Sequence, residues 1–186
     1  MREDDIRMLP AGSHFNFKGF EWIALDNNVD GGVLAIMASA WNGKTYCFDG
    51  KGYNNYLKSN LREKLRDELL PVLGKDNLIP HEVSLVADNG DDLYCRIYGR
   101  VFILSCDEYR EHRKNVPLLQ ERMWTCTPSY ISDDEDYSYV RIIDSKGKLY
   151  DATTKAFAGV LPACVFNPEK VKVGYTIPTV EERSND

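Results

Sequence analysis

The stretch Asn60-Leu61-Arg62-Glu63-Lys64-Leu65-Arg66-Asp67-Glu68-Leu69-Leu70-Pro71-Val72-Leu73 decides how the chain is read. Leu57, Leu61, Leu65 and Leu69 recur at every fourth position, the spacing that lays one apolar stripe along a helix. Asn60 and Glu63 have capping-box spacing, and Pro71 and Gly74 punctuate the far end. The spacing therefore predicts a helix over about 60–73. Arg62, Glu63, Arg66 and Asp67 fall off the stripe and read as its solvated face. The helix is a core-packing element, with no chemistry implied.

Working outward, the segments on both sides carry strand patterns. His14–Leu25 reads as a first hairpin in which Phe20, Trp22 and Ala24 alternate and share one sheet face. The turn Asp30-Gly31-Gly32 precedes Val33–Ala38, an apolar run suited to a buried strand. Trp41–Tyr53, rich in glycine and aromatics, reads as irregular. Beyond the helix, Glu82–Ala87 reads as a strand ending in the turn Asp88-Asn89-Gly90-Asp91. Val101–Leu104 is a short buried strand or the lead-in to a helix. Ser105-Cys106-Asp107-Glu108 is a full capping box, predicting a second helix to about Arg113, with Pro117 as its limit. Tyr137–Asp144, Lys148–Ala152 and Ala163–Phe166 complete the strand pattern, the first two joined by Ser145-Lys146-Gly147. Two helices among hairpins and mostly antiparallel strands make an α+β domain, with Trp22, Leu61, Leu65, Leu69, Phe102 and Trp124 in its core. The expected organisation is a lead-in over 1–13, one domain over 14–168 and an extension over 169–186, fraying over its last six residues.

Composition narrows the class. Of 186 residues, 43% are hydrophobic and 28% charged, which fits a soluble globular chain. The balance of 23 basic and 29 acidic residues gives a net charge of −6, unlike the basic surface that nucleic acids require. The start, Met1-Arg2-Glu3-Asp4-Asp5, lacks the basic and apolar pattern of an export signal, and no apolar run is long enough for a membrane span. The expected location is the cytoplasm or a virion. The five cysteines (Cys47, Cys95, Cys106, Cys126 and Cys164) form no C-x-x-C pair and read as buried, reduced thiols.

Several motifs resemble one family. Ser59-Asn60-Leu61-Arg62-Glu63-Lys64-Leu65 is similar to its S-x-L-R-x-W-L helix start, and Val101-Phe102-Ile103-Leu104-Ser105 to its V-F-L-L-S segment. Trp124-Thr125-Cys126-Thr127-Pro128 resembles its W-L-R-S-P, Gly159-Val160-Leu161-Pro162-Ala163 its closing G-V-R-P-A, and Phe20–Leu25 its opening strand. The family comprises bacterial and phage-borne domains of unknown function, and the resemblance covers roughly residues 15–167. It implies a C-type-lectin-like fold, akin to the formylglycine-generating-enzyme group and to phage receptor-binding proteins. Cys126 and Leu161 stand at or near the places of the family's two arginines, so no contact made by those arginines is expected here.

The resemblance also implies a binding surface between the two closing motifs, where such folds display their variable segment. Tyr130, Tyr137, Tyr139 and Arg141 lie there, and tyrosine offers rigid, amphipathic contact area. Alternation gives a plainer reading, in which Tyr137, Tyr139 and Arg141 cover one sheet face and Ser138, Val140 and Ile142 the other. Asp133, Asp134, Glu135 and Asp136 are weak candidates for calcium and read more simply as a solvated loop tip. His14, His81 and His112 form no metal or catalytic pattern, and no nucleophile elbow, P-loop or dinucleotide fingerprint occurs. The functional expectation is a binding domain for a protein or glycan, without cofactor, catalytic residues or resident metal. A phage assembly component and a divergent formylglycine-generating-type oxidoreductase are the alternatives.

Overall fold

The computed structural model describes residues 4–131 and 138–176. In chain order its strands are β1 (Asp4–Asp5), β2 (His14–Phe17), β3 (Phe20–Val29), β4 (Gly32–Met37) and β5 (Thr45–Cys47). After the long helix come β6 (Leu78–Ile79), β7 (His81–Ser84) and β8 (Arg96–Gly99), then the short helix Cys106–His112. The remainder is β9 (Met123–Pro128), β10 (Tyr139–Ile143), β11 (Leu149–Thr153), β12 (Phe157–Gly159), β13 (Ala163–Phe166), β14 (Lys172–Val173) and β15 (Tyr175–Thr176). One sheet runs β15-β2-β3-β4-β13-β6 and a second β11-β10-β9-β12-β5. Pairing is antiparallel except between β12 and β9. The chain is thus α+β with mostly antiparallel strands. At its ends β1 pairs with β14, and β15 extends the first sheet beyond β2.

The long helix forms over 60–73, but its start and middle differ from the simple pattern. Ser59, not Asn60, is the N-cap, its hydroxyl accepting from the Arg62 N–H. Asn60 instead turns back, its Oδ1 accepting from the Gly50 N–H at 2.8 Å. Leu57 lies in the 3-10 turn before the cap and is 45% exposed, so it leaves the stripe that buries Leu61, Leu65 and Leu69. Asn60–Lys64 is α-helical, Leu65–Leu69 forms a π turn and Leu70–Leu73 returns to α geometry. Pro71 explains the interruption. In an unbroken α-helix its ring would press on the carbonyl four residues back and it has no N–H to donate there. The wider turn, in which the Leu70 N–H reaches the Leu65 carbonyl, places Pro71 at the start of the last segment, where proline is tolerated.

One continuous core joins the sheets and the helix. Phe166 meets the edges of Phe15, Phe17 and Trp22 at centroid distances of 5.4, 5.3 and 5.0 Å. Phe48 links Trp124 to Tyr56 at 5.5 and 5.9 Å. All six expected core residues are buried. At Gly32 β4 runs so close to β13 that an added Cβ would lie 2.5 Å from the Phe166 carbonyl oxygen.

Some strand expectations change. Within 41–53, the stretch Thr45–Cys47 is a strand held by β12; three residues are too few for alternation to show. Val101–Leu104 is buried but forms no strand: Phe102 bridges Ala163, and the Leu104 carbonyl accepts from the Cys126 N–H at 3.0 Å. Among the described residues no helix is long and apolar enough to cross a membrane.

Candidate functional site

The expected binding residues lie on and beside β10, whose burial alternates. Val140 and Ile142 point into the core, while Tyr139 and Arg141 are half-buried on the other face. Ser138, at the core-facing parity, is buried. The Tyr130 and Tyr139 rings are 6.2 Å apart. Tyr137 and the run Asp133, Asp134, Glu135 and Asp136 lie outside the described residues.

Tyr130 and Tyr139 are brought together by a buried residue that the sequence did not mark. Asn54 is fully buried, and its Nδ2 donates to the Tyr130 carbonyl at 2.6 Å and to the Tyr139 carbonyl at 3.2 Å. Its Oδ1 accepts from the Tyr94 hydroxyl at 2.9 Å. The Ser129 N–H also donates to the Tyr139 carbonyl, at 3.0 Å. Both ends of the 131–138 connection are therefore tied to the body of the protein.

Arg141 is held by carboxylates on two sides. Its Nη1 donates to Asp151 Oδ1 at 2.8 Å, and its Nε lies 3.1 Å from Asp88 Oδ2 as a charge contact without hydrogen-bond alignment. Burial opposes the charge on Arg141, but Asp151 and Asp88 outweigh it and hold its pKa above the ordinary value. Asp151 suffers the same penalty, yet the Ser129 hydroxyl at 2.5 Å and the Arg141 guanidinium pull its pKa below the usual carboxylate value. Asp88 also accepts from Arg110 at 3.0 Å, and Arg110 from its other side holds Asp107 at 2.7 Å. Arg141 is thus a positioning residue within a charge network rather than an unpaired contact residue.

That network edges a polar cleft of about 220 Å³ whose lining includes Ser84, Asp88, Ser105, Cys106, Arg110 and Thr127. The short helix forms one wall. Its capping box is complete, and it is fixed to β9 by the Cys106 N–H donating to Thr127 Oγ1 at 2.9 Å. It is fixed to the β10–β11 turn by Tyr109, whose hydroxyl donates to the Gly147 carbonyl at 2.9 Å. Gly147 has φ of +76°, and a Cβ there would lie 2.8 Å from that hydroxyl oxygen, so the turn needs glycine.

On the other flank of the helix, His81 is clamped in the same manner. Its Nδ1 is 2.6 Å from Asp30 Oδ2 and its Nε2 3.0 Å from Glu108 Oε1, while its ring stacks on Phe102 at 5.0 Å. Burial lowers the ring's pKa, but Glu108 and Asp30 outweigh that and hold it above 6.5. Glu108 serves both structures, because its Oε2 accepts from the Ser105 N–H and hydroxyl at 2.7 Å each.

The thiols differ from the uniform burial expected. Cys106, Cys126 and Cys164 are buried, but Cys47 is half-buried and Cys95 exposed. Cys95 follows the Asp88–Asp91 turn region in a left-handed conformation with φ of +57°, just before β8. All five are free. Burial pushes the Cys106 thiol up, and those of Cys126 and Cys164 well up, the reverse of what a reactive thiolate needs. Among the described residues no group of three or more histidine, cysteine, aspartate or glutamate side chains is placed to hold a metal ion. No protein-family model, curated protein or solved structure matches the chain.

Proposed function

We propose that the chain is a recognition domain of C-type-lectin-like fold that binds a protein or glycan through the face bearing Tyr130, Tyr139 and Arg141. The observation that carries this reading is the Asn54 tie. A fully buried amide bonded to both tyrosine carbonyls fixes the spacing of the two backbones that carry the rings, whose centroids lie 6.2 Å apart. Preorganised aromatic area loses little freedom on binding, which favours affinity. Asp151 and Asp88 fix Arg141 along the same strand, giving the face a shape that does not depend on a ligand. The fold part of the reading is supported by the ordered motifs. Trp124–Pro128 lies in β9, and Gly159–Ala163 leads from β12 into β13.

The test is binding by the Tyr130→Ala/Tyr139→Ala double variant, on a glycan array and in capture from host lysate, beside its thermal melt. The expected result is a wild-type melt with loss of the glycans or proteins that the unaltered chain retains. A folded double variant with the full wild-type binding profile would place recognition elsewhere.

A further inference from the structure

A second cleft, sharing no lining residue with the first, is built from arginine. Arg62 and Arg66, one turn apart on the long helix, and Arg100, just past β8, line a space of about 160 Å³ with Leu70, Tyr98 and Val101. Among the described residues no acidic side chain lines it. Arg62 and Arg100 are half-buried, and their hydrogen bonds go to backbone carbonyls. Arg62 Nη1 reaches the Leu57 oxygen and Arg100 Nε the Leu78 oxygen, each at 3.3 Å. Among the described residues neither has a carboxylate within ion-pair distance. Arg66 is exposed and rests on its neighbour Asp67 at 2.7 Å. In a chain of net charge −6, a recess lined by three arginines is a local reversal of sign. Arg62 and Arg100, half-buried and without a carboxylate partner among the described residues, carry charge that an anion in the recess would offset.

We propose that this cleft binds a phosphate group, as free orthophosphate or as the phosphomonoester of a small molecule. A guanidinium offers paired N–H donors that match phosphate oxygens, and a dianion neutralises the two arginines that lack a carboxylate. The remaining wall is apolar: Leu70, Val101 and the 64% exposed Tyr98 ring give an attached organic group a surface to pack on. The π turn reaches the cleft through Arg66 and ends at Leu69, just before Leu70 of the cleft wall, and such turns recur at binding sites. Of the helix's solvated face, Arg66 is exposed and Arg62 half-buried, its Nη1 donating to the Leu57 carbonyl.

The test is calorimetric titration with inorganic phosphate and with phenyl phosphate at constant ionic strength, using wild type and Arg62→Gln/Arg100→Gln. Saturable binding that weakens at least tenfold in a double variant with a wild-type melt supports the site. Tighter binding of phenyl phosphate then assigns an organic phosphomonoester, and equal binding assigns the free anion. Absence of saturable binding to both, or equal binding by the double variant, overturns the proposal. So does a single-stranded oligonucleotide that binds more tightly than either small probe. Should the double variant not fold, exposed Arg66→Gln must weaken binding at least threefold, and unchanged affinity there also overturns it.

Discussion

Arg141 and His81 stand on opposite flanks of the helix Cys106–His112, each a cation between two carboxylates. Arg141 has Asp88 and Asp151, and His81 has Asp30 and Glu108. The geometry is alike and the chemistry is not. A guanidinium keeps its charge at every pH the fold meets. A neutral imidazole has only one N–H, so it must turn a lone pair toward one of its two carboxylates. The His81 clamp is complete only while the ring is protonated. Its folded-state pKa is raised above 6.5, so its stabilisation is full below that value and is lost as pH rises through the folded pKa. The Arg141 clamp fails at the other end. Asp151 is depressed below 3.8, so its contribution is present above that value and is lost as pH falls through the folded pKa.

Removing the permanent cation should give the largest effect. Arg141 is 20% exposed, Asp88 26% and Asp151 49%, between an exposed pair and a buried one. Arg141→Met should therefore destabilise by about 2 kcal/mol, between the roughly 0–1 of exposed pairs and the roughly 3–5 of broken buried ones. Urea denaturation should give the same loss at pH 6 and pH 9. A loss that varies across that range would break the contrast with His81.

The titrating cation comes next. His81→Gln is neutral throughout, so at pH 6 it should be less stable than wild type by about 1 kcal/mol, the scale of a partly exposed charged hydrogen bond. The deficit should shrink toward pH 9, where wild-type His81 is neutral too. An NMR titration of the wild-type ring should give a midpoint above 6.5. A deficit that grows with pH would mean that the clamp holds a neutral ring.

The two clamps were unequally legible in the sequence, and the reason is range. Capping, periodicity and turns are local, so Ser105-Cys106-Asp107-Glu108 announces its helix and Ala163–Phe166 its strand. The Arg141–Asp151 pairing was also within reach. A hairpin turning on Ser145-Lys146-Gly147 places those residues opposite each other, as the register confirms. Asp88, Asp30 and Asn54 carry no such mark, because each meets its partner only after the sheets assemble. The π turn was half legible: Pro71 showed that the helix must yield, but not that it would widen and continue. His81 carries no mark in the sequence because metal and catalytic motifs need partners at fixed spacing, whereas Asp30 and Glu108 come from a hairpin turn and a helix.

Glu108 offers the smallest effect on a clamp itself and the sharpest separation of that clamp from the helix cap it shares. Its two oxygens divide the work: Oε2 accepts from Ser105 and Oε1 faces His81. Glu108→Gln keeps an acceptor for the Ser105 N–H, and glutamine serves in a capping box as glutamate does. It loses a negative charge in the helix's first turn, worth about 0.3–1 kcal/mol, and that loss is the same at pH 6 and pH 9. The difference between the two pH values therefore isolates the contact with His81. At pH 6 an imidazolium N–H would face an amide N–H, whereas at pH 9 a neutral ring nitrogen can accept from that amide. The variant should be weaker than wild type at pH 6 by about 0.5 kcal/mol more than at pH 9, and the His81 midpoint should fall. If the midpoint stays put while stability drops equally at both pH values, Glu108 acts on this fold only as a cap, and Asp30 alone sustains the charge on His81.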